Sequence, residues 1–332
     1  MTSAGLDVAA ADYRAVREGC GVVPRSDHGV LEVTGRDRAG FLHALLSNEV
    51  KALAPGQGCA ATLLDVHGKV QVVLLAWVLD DRILLVTPPG RAASTLEALD
   101  HYLFSEKAVL EDVSGSLAML LLAGPEAPAV AERLTGARAP AAAWSHVTGA
   151  FEGGPVRVVR GGSETGEADV WLVAPAAGGP ALEAALRAAG ARPITPAAFE
   201  ALRIEAGTPR FPQDIGPSVL LPEVPFLNLV SHTKGCYPGQ EVVVRIRDRG
   251  HVNRHLRGLV LEGDAVPEPG SEVVAGDAAI GAVTSATYSF GLKRPIALAM
   301  VRRQHAEPGT AVGVRLGDRV VAATVSALPF RS

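Results

Sequence analysis

The densest set of reactive side chains in the chain is the segment Lys234-Gly235-Cys236-Tyr237-Pro238-Gly239-Gln240-Glu241. Two glycines and a proline within it predict a tight loop with special backbone angles. The loop gathers an ammonium, a thiol, a phenol, an amide and a carboxylate. A cation two residues from Cys236 would favour the thiolate, the reactive form of cysteine. The plain alternative is a turn that carries a buried, inert thiol. Downstream, Arg245, Arg247 and Arg249 alternate, so on a strand they would share one face. His251, Arg254, His255 and Arg257 follow. Between Lys234 and Arg257 there are six Lys/Arg and two Asp/Glu. That excess predicts an anion site or a dock for an acidic partner surface, with a solvated strand face as the alternative. Upstream, Arg203 and Glu205 end a helix predicted over Pro196 to Ala206. Glu205 is either a ligand group or half of a helix-end salt bridge to Arg203 or Arg210.

The elements that must position these groups read as α+β. A strand is predicted over Val30 to Thr34 and a helix over Gly35 to Glu49, with Phe41, Leu42, Leu45 and Leu46 on one face. Pro55-Gly56-Gln57-Gly58 is a turn. Cys59 to Val66 and Lys69 to Leu79 read as two strands around a hairpin turn at His67-Gly68. A strand over Arg82 to Thr87 and a helix from Pro88 to about Leu103 complete an antiparallel sheet with helices on one face. The same grammar recurs to Gly190, with strands near Ala108–Val113, Leu117–Ala123, Val156–Arg160 and Val170–Ala174, and helices at Glu126–Leu134 and Pro180–Ala189. After about Gly258, short β-rich runs between Gly/Pro turns predict a small barrel or sandwich. A boundary is placed near Gly250, giving residues 1–250 as two α+β lobes and 251–332 as a β-domain.

Composition narrows the function classes. Of the 332 residues, 48% are hydrophobic and 20% charged, enough for a sizeable core. A net charge of −4 argues against a chain built as a whole for nucleic acid or an anionic membrane. The basic segment has a single aromatic, Tyr237, so base-stacking platforms are scarce. Three cysteines, Cys20, Cys59 and Cys236, make neither a disulfide framework nor a self-contained four-cysteine cluster site. The first residues lack a basic start and an apolar stretch, and no run of about 18 apolar residues appears, so a reducing cytoplasm is expected. There is no Gly-x-Gly-x-x-Gly, phosphate loop, Cys-x-x-Cys or His-Glu-x-x-His. His251 and His255 would suit a metal only on a helix, and their segment reads as loop or strand, so no metal site is expected.

The segment 234–241 resembles the signature of the YgfZ family of folate-binding proteins, in the aminomethyltransferase superfamily, which also takes in a mitochondrial iron–sulfur assembly factor. Three further segments match in order: Gly35-Arg36-Asp37-Arg38-Ala39-Gly40-Phe41-Leu42, Pro55-Gly56-Gln57-Gly58, and Arg203-Ile204-Glu205-Ala206-Gly207-Thr208-Pro209-Arg210. The resemblance implies three lobes around a central folate pocket, the last lobe a β-barrel. It implies tetrahydrofolate as the ligand and a part in iron–sulfur cluster assembly or repair, with assembly proteins or cluster-containing clients as partners. A folate-dependent one-carbon transferase is the alternative. By the same resemblance Glu205 matches the pterin-binding glutamate, since a carboxylate can accept both of the adjacent N–H groups of a pterin. The resemblance extends the ligand set to Arg203, Lys234, Tyr237, Gln240, Arg249 and Arg254, with Cys236 as a functional thiol. One position departs from the enzymes. Where they carry an aspartate on the strand after Gly68, this chain has Val73, which can exchange no proton. That argues against aminomethyl transfer.

Overall fold

The computed structural model describes residues 3–225 and 227–330. The first two residues, part of the stretch read above for a leader, lie outside the described residues. Helix α1 (Ser3–Glu18) and strand β1 (Gly21–Pro24) open the chain. Next come β2 (Gly29–Thr34), α2 (Arg38–Leu45), β3 (Gly58–Leu64), β4 (Val70–Val78), β5 (Ile83–Thr87), α3 (Ala92–Asp100) and β6 (Val109–Asp112). These strands form a five-stranded sheet in the order β3-β4-β5-β2-β6. A second series follows: β7 (Leu117–Ala123), α4 (Ala127–Thr135), β8 (His146–Phe151), β9 (Gly154–Arg160), β10 (Asp169–Pro175), α5 (Gly179–Ala188) and β11 (Arg192–Pro193). With β1 it makes a six-stranded sheet, β11-β1-β7-β10-β9-β8.

Strand alternation explains how the two sheets stack. In β4, Val72, Leu74, Ala76 and Val78 face α2 and α3, while Trp77 points the other way. In β10, Val170, Leu172 and Ala174 face α4 and α5, while Trp171 and Val173 point the other way. The two inward faces meet in one core, where Trp77 and Trp171 touch edge to face with centroids 6.2 Å apart. The result is helices, sheet, sheet, helices.

Helix α6 (Pro196–Glu205) packs on α1 and leads into an irregular segment that ends at α7 (Gln240–Arg249). The third lobe is a closed barrel of β12 (Arg254–Leu261), β13 (Glu272–Ala275), β14 (Ala278–Ser289), β15 (Arg294–Arg302), β16 (Ala311–Leu316) and β17 (Arg319–Ser326), in the order β12-β15-β14-β13-β16-β17. The tail returns to α6, where the Phe330 amide donates to the Glu205 carbonyl.

Three expectations need correction. The helix expected over Gly35 to Glu49 spans only Arg38–Leu45, because the chain then turns inward to bury Val50. Helix α1 and strands β1, β8 and β11 had no counterpart among the expected elements. The alternating arginines are helical, on α7. Val242, Val243 and Ile246 give that segment its inner face, and Glu241 in the first turn with Arg247 and Arg249 in the last suits the helix dipole. Successive alternate residues on a helix point about opposite ways, so Arg245, Arg247 and Arg249 do not form one strand face.

Candidate functional site

A cavity of about 520 Å³ opens between the sheets at the β4 stretch Val73–Leu75. Its walls are largely apolar: Val73, Leu74 and Leu75 on one side, Trp144, Trp171 and Phe211 on others. Polar groups enter from few places, as expected of a small-molecule site. The turn between β1 and β2, closed by a bond from the His28 amide to the Arg25 carbonyl, delivers Arg25, Asp27 and His28. The loop between β9 and β10 delivers Glu164, and the segment after α6 delivers Arg210.

Arg25 is only 8% exposed. Its guanidinium stacks over Phe199 at 4.3 Å and ion-pairs with Glu164 at 2.7 Å. Its Nε–H, like the indole N–H of Trp171, is buried with no acceptor among the described residues. Two orphaned donors on residues lining one cavity are an imbalance that a ligand with carbonyl or ring-nitrogen acceptors would correct. Asp27 and His28 form a carboxylate–imidazole pair, Oδ1 to Nδ1 2.9 Å, and the His28 ring holds the Asp27 carboxyl below its usual range.

Glu164 is placed by a fully buried carboxylate, Asp169. Asp169 accepts from the Ser163 and Glu164 amides, each at 2.8 Å. It packs so closely on Gly161 that a Cβ there would lie 2.3 Å from its oxygen, hence the glycine. Burial pushes the Asp169 carboxyl up to about 6, and the two amide bonds oppose that rise. The folded chain therefore keeps this proton to a higher pH than the unfolded one. The stability the group supplies is fully present below the unfolded value, falls as pH rises towards about 6, and is level above it. Protonation also removes an acceptor from the Glu164 amide. Ligand affinity at the cavity is expected to drop as pH falls through that value, and Asp169→Asn to flatten the dependence. Titrations one pH unit above and one below check this, and equal affinities at both would contradict it.

The residues expected from the sequence are scattered around this cavity. Val73 lines it, so the position expected to lack a carboxylate does face the site, and the carboxylates that do line it are Asp27 and Glu164. Arg203 also lines it but is 1% exposed, with its donors committed. Nε bonds both Glu200 oxygens at 3.0 Å, Nη1 bonds Asp214 at 3.0 Å, and Nη2 bonds Ser285 at 2.8 Å. It braces α6 to the barrel. Glu205 is not among the lining residues. Its carboxylate takes Tyr13 at 2.7 Å, Arg17 at 2.7 Å, Ser289 at 2.6 Å and the Gly291 amide at 3.2 Å. Glu205, expected by resemblance to meet a pterin, here joins α1 and α6 to the barrel. The salt-bridge alternative had the right nature but the wrong partner, since the cation is Arg17.

The loop 234–241 is likewise away from the cavity. Gly239 sits on the β3–β4 turn with φ +76, where a Cβ would lie 2.4 Å from the Asp65 carbonyl. Lys234 is buried under the end of α2, donating to the His43 and Leu46 carbonyls with its ammonium 4.9 Å over the Tyr237 ring. Burial pulls it down to about 8. Tyr237 is buried, Gln240 begins α7 and Arg249 ends it exposed. Arg254 ion-pairs with Glu223 at 2.9 Å, tying β12 to the segment before α7. None of these five lines the cavity, because the loop is a brace for the hairpin.

Cys236 is exposed, not the buried thiol of the plain alternative, and does not line the cavity. Burial pushes the Cys20 and Cys59 thiols up to about 12. With limiting thiol reagent, Cys236 is expected to label roughly tenfold or more ahead of either. Mass-spectrometric mapping checks this, and faster labelling of Cys59 would contradict it. Among the described residues no cluster of three or more His, Cys, Asp or Glu could hold a metal ion, and no helix is long and apolar enough to cross a membrane.

Comparison with known proteins agrees with this architecture. Residues 3–233 match the GCVT N-terminal domain and residues 254–331 the glycine cleavage T-protein C-terminal barrel domain. An aminomethyltransferase of Frankia alni is 34% identical, over 96% of this chain and 88% of its own. One of Streptomyces avermitilis is 31% identical, again over 96% and 88%. The crystal structure of the glycine cleavage system aminomethyltransferase T from Bartonella henselae superposes with a TM-score of 0.88 at 22% identity, covering 97% of this chain and 89% of that one, a likeness of fold. With both of its domains matched, the chain belongs to the glycine cleavage T-protein, or aminomethyltransferase, family.

Proposed function

We propose that this chain binds tetrahydrofolate in the central cavity and acts as a tetrahydrofolate-dependent one-carbon transferase. The observation that carries the reading is the Arg25–Glu164 pair set into an aromatic cavity with two orphaned N–H donors. Glu164 accepts the adjacent N–H groups of the pterin, the role expected of Glu205 from the sequence. Arg25 and Trp171 supply donors to its acceptors, and Trp144 and Phe211 give it flat walls. Arg210, paired with Glu200 but 45% exposed in its side chain, meets the carboxylates of the glutamate tail. The folate, when bound, supplies the nitrogen that carries the one-carbon unit. Because Val73 offers no proton, acid–base work falls to Asp27 and His28 at the same cavity.

Two assays test this: calorimetric titration with tetrahydrofolate, and turnover of an aminomethylated lipoyl carrier or a methyl donor. Binding together with turnover that Asp27→Asn lowers by about 10²-fold or more is the expected result. Absence of folate binding would overturn the reading.

A second reading is favoured by Val73 and by the exposed Cys236 on its rigid loop. Here the chain is a folate-binding accessory factor of the YgfZ branch in a reducing cytoplasm, serving iron–sulfur assembly proteins or cluster-containing clients. Folate binding without turnover, and a Cys236→Ser variant that still binds folate but fails to complement a strain lacking its homologue, would favour it over the first.

A further inference from the structure

A second cleft, about 710 Å³, opens at the other end of the seam between the sheets and shares no lining residue with the central cavity. The central cavity meets β4 at Val73–Leu75 and β10 at Trp171. The second cleft meets the turn just after β4, at Leu79–Asp80, and β10 at Val173–Pro175. Its charged groups are Glu32, Asp80, Asp81, Arg82 and Arg157.

Two of these are uncompensated. Arg82 is neutralised by Glu32 and Asp81, each at 2.7 Å. Arg157, half-buried on β9, forms no ion pair among the described residues. Its one side-chain partner there is the ring of His146, Nη1 to Nδ1 2.9 Å. A guanidinium has no lone pair to offer, so Nδ1 must accept and the ring proton sits on Nε2. His146 is 4% exposed, and burial with the Arg157 charge beside it pulls it down to about 4, so it stays neutral. It orients the guanidinium without cancelling its charge. In the same cleft the exposed carboxylate of Asp80, at the turn after β4, is likewise outside any ion pair among the described residues. It acts on Arg157 through space. Thr148 lies opposite Arg157 in the β8–β9 register and lines the same cleft.

We infer that this cleft is a binding site for a small zwitterion of the α-amino acid type. Its carboxylate is taken by the free N–H groups of Arg157 and by the Thr148 hydroxyl, and its ammonium faces Asp80. A guanidinium fork with unused donors matches a carboxylate in two bonds. A dianion is disfavoured, because Glu32, Asp80 and Asp81 line the same cleft as the single uncompensated cation. Leu79, Leu84 and Val173 leave an apolar floor for a side chain.

The test is calorimetric titration of the full chain with the standard L-amino acids one at a time, and with acetate and inorganic phosphate as controls. At least one amino acid is expected to bind more tightly than either control. Its affinity should fall about tenfold or more in Arg157→Gln and in Asp80→Asn. Asp80 is on the surface, so its variant folds whatever becomes of the first. Tetrahydrofolate titration of both variants should match the parent, which separates this site from the central one. Binding of no amino acid, phosphate binding more tightly, or equal affinities in parent and variants would each overturn the inference.

Discussion

Glu205→Ala is expected to destabilise the folded chain by about 3 kcal/mol while leaving folate affinity within roughly threefold. Glu205 is 6% exposed and receives four hydrogen bonds from two distant parts of the chain, α1 and the end of β14. Removing it leaves the Tyr13 and Ser289 hydroxyls and the Gly291 amide without their acceptor. Arg17 keeps Glu167, at 2.8 Å, which holds the loss to the lower part of the range for a broken buried pair. Glu205→Gln keeps the shape and one acceptor, so it should lose about half as much. Tyr13 adds an independent readout. Burial and then the bond to Glu205 push its phenol up to about 12, and both variants should bring its titration down. Chemical denaturation and an ultraviolet pH titration measure these effects. A stable variant that had lost folate affinity more than tenfold would restore Glu205 to the ligand.

How the sequence conceals this joint is instructive. The position of Glu205 at the end of a helix could be read from the sequence. Its partners could not, because Tyr13 and Arg17 lie on a helix nearly two hundred residues away, in a stretch that reads only as the chain's beginning. Local patterns fared well where one strand and one turn decide the outcome. The hairpin at His67-Gly68 forms as expected, with Thr62 opposite Val73. The barrel strands are separated by their glycine and proline turns as expected, and they close into a ring.

Two kinds of periodicity competed in α7. The alternating arginines suggested a strand, but the spacing of the half-buried Val242 and Ile246 around the buried Val243 is helical, and Val243 packs into the core beside the hairpin. At the site itself the misses were Arg25, Asp27, His28 and Glu164. A signal for them existed. Arg25-Ser26-Asp27-His28-Gly29 is a polar run between two apolar strands, and Gly161-Gly162-Ser163-Glu164 is a glycine-led acidic loop after another. Such loops on rigid strands are where binding groups concentrate. What no local pattern carries is that the two loops meet across the sheets, 139 residues apart, in one ion pair.

The second large effect is at Glu164. Glu164→Gln is expected to weaken tetrahydrofolate binding by about 1.5–3 kcal/mol, roughly 10- to 150-fold, the scale of a hydrogen-bonded charged partner. An amide presents one acceptor and two donors where the pterin edge needs two acceptors, so the substitution leaves a donor facing a donor. The loop itself should hold, because Asp169 grips its backbone amides and not its side chain. Stability should fall by no more than about 1 kcal/mol, since the pair to Arg25 is 28% exposed on the Glu164 side. The most direct measurement is calorimetric titration of the parent, Glu164→Gln and Glu205→Gln with tetrahydrofolate under one set of conditions. A loss of tenfold or more at Glu164 with near-parent affinity at Glu205 is expected; parent affinity at Glu164 with a large loss at Glu205 would contradict the placement of the pterin against Glu164.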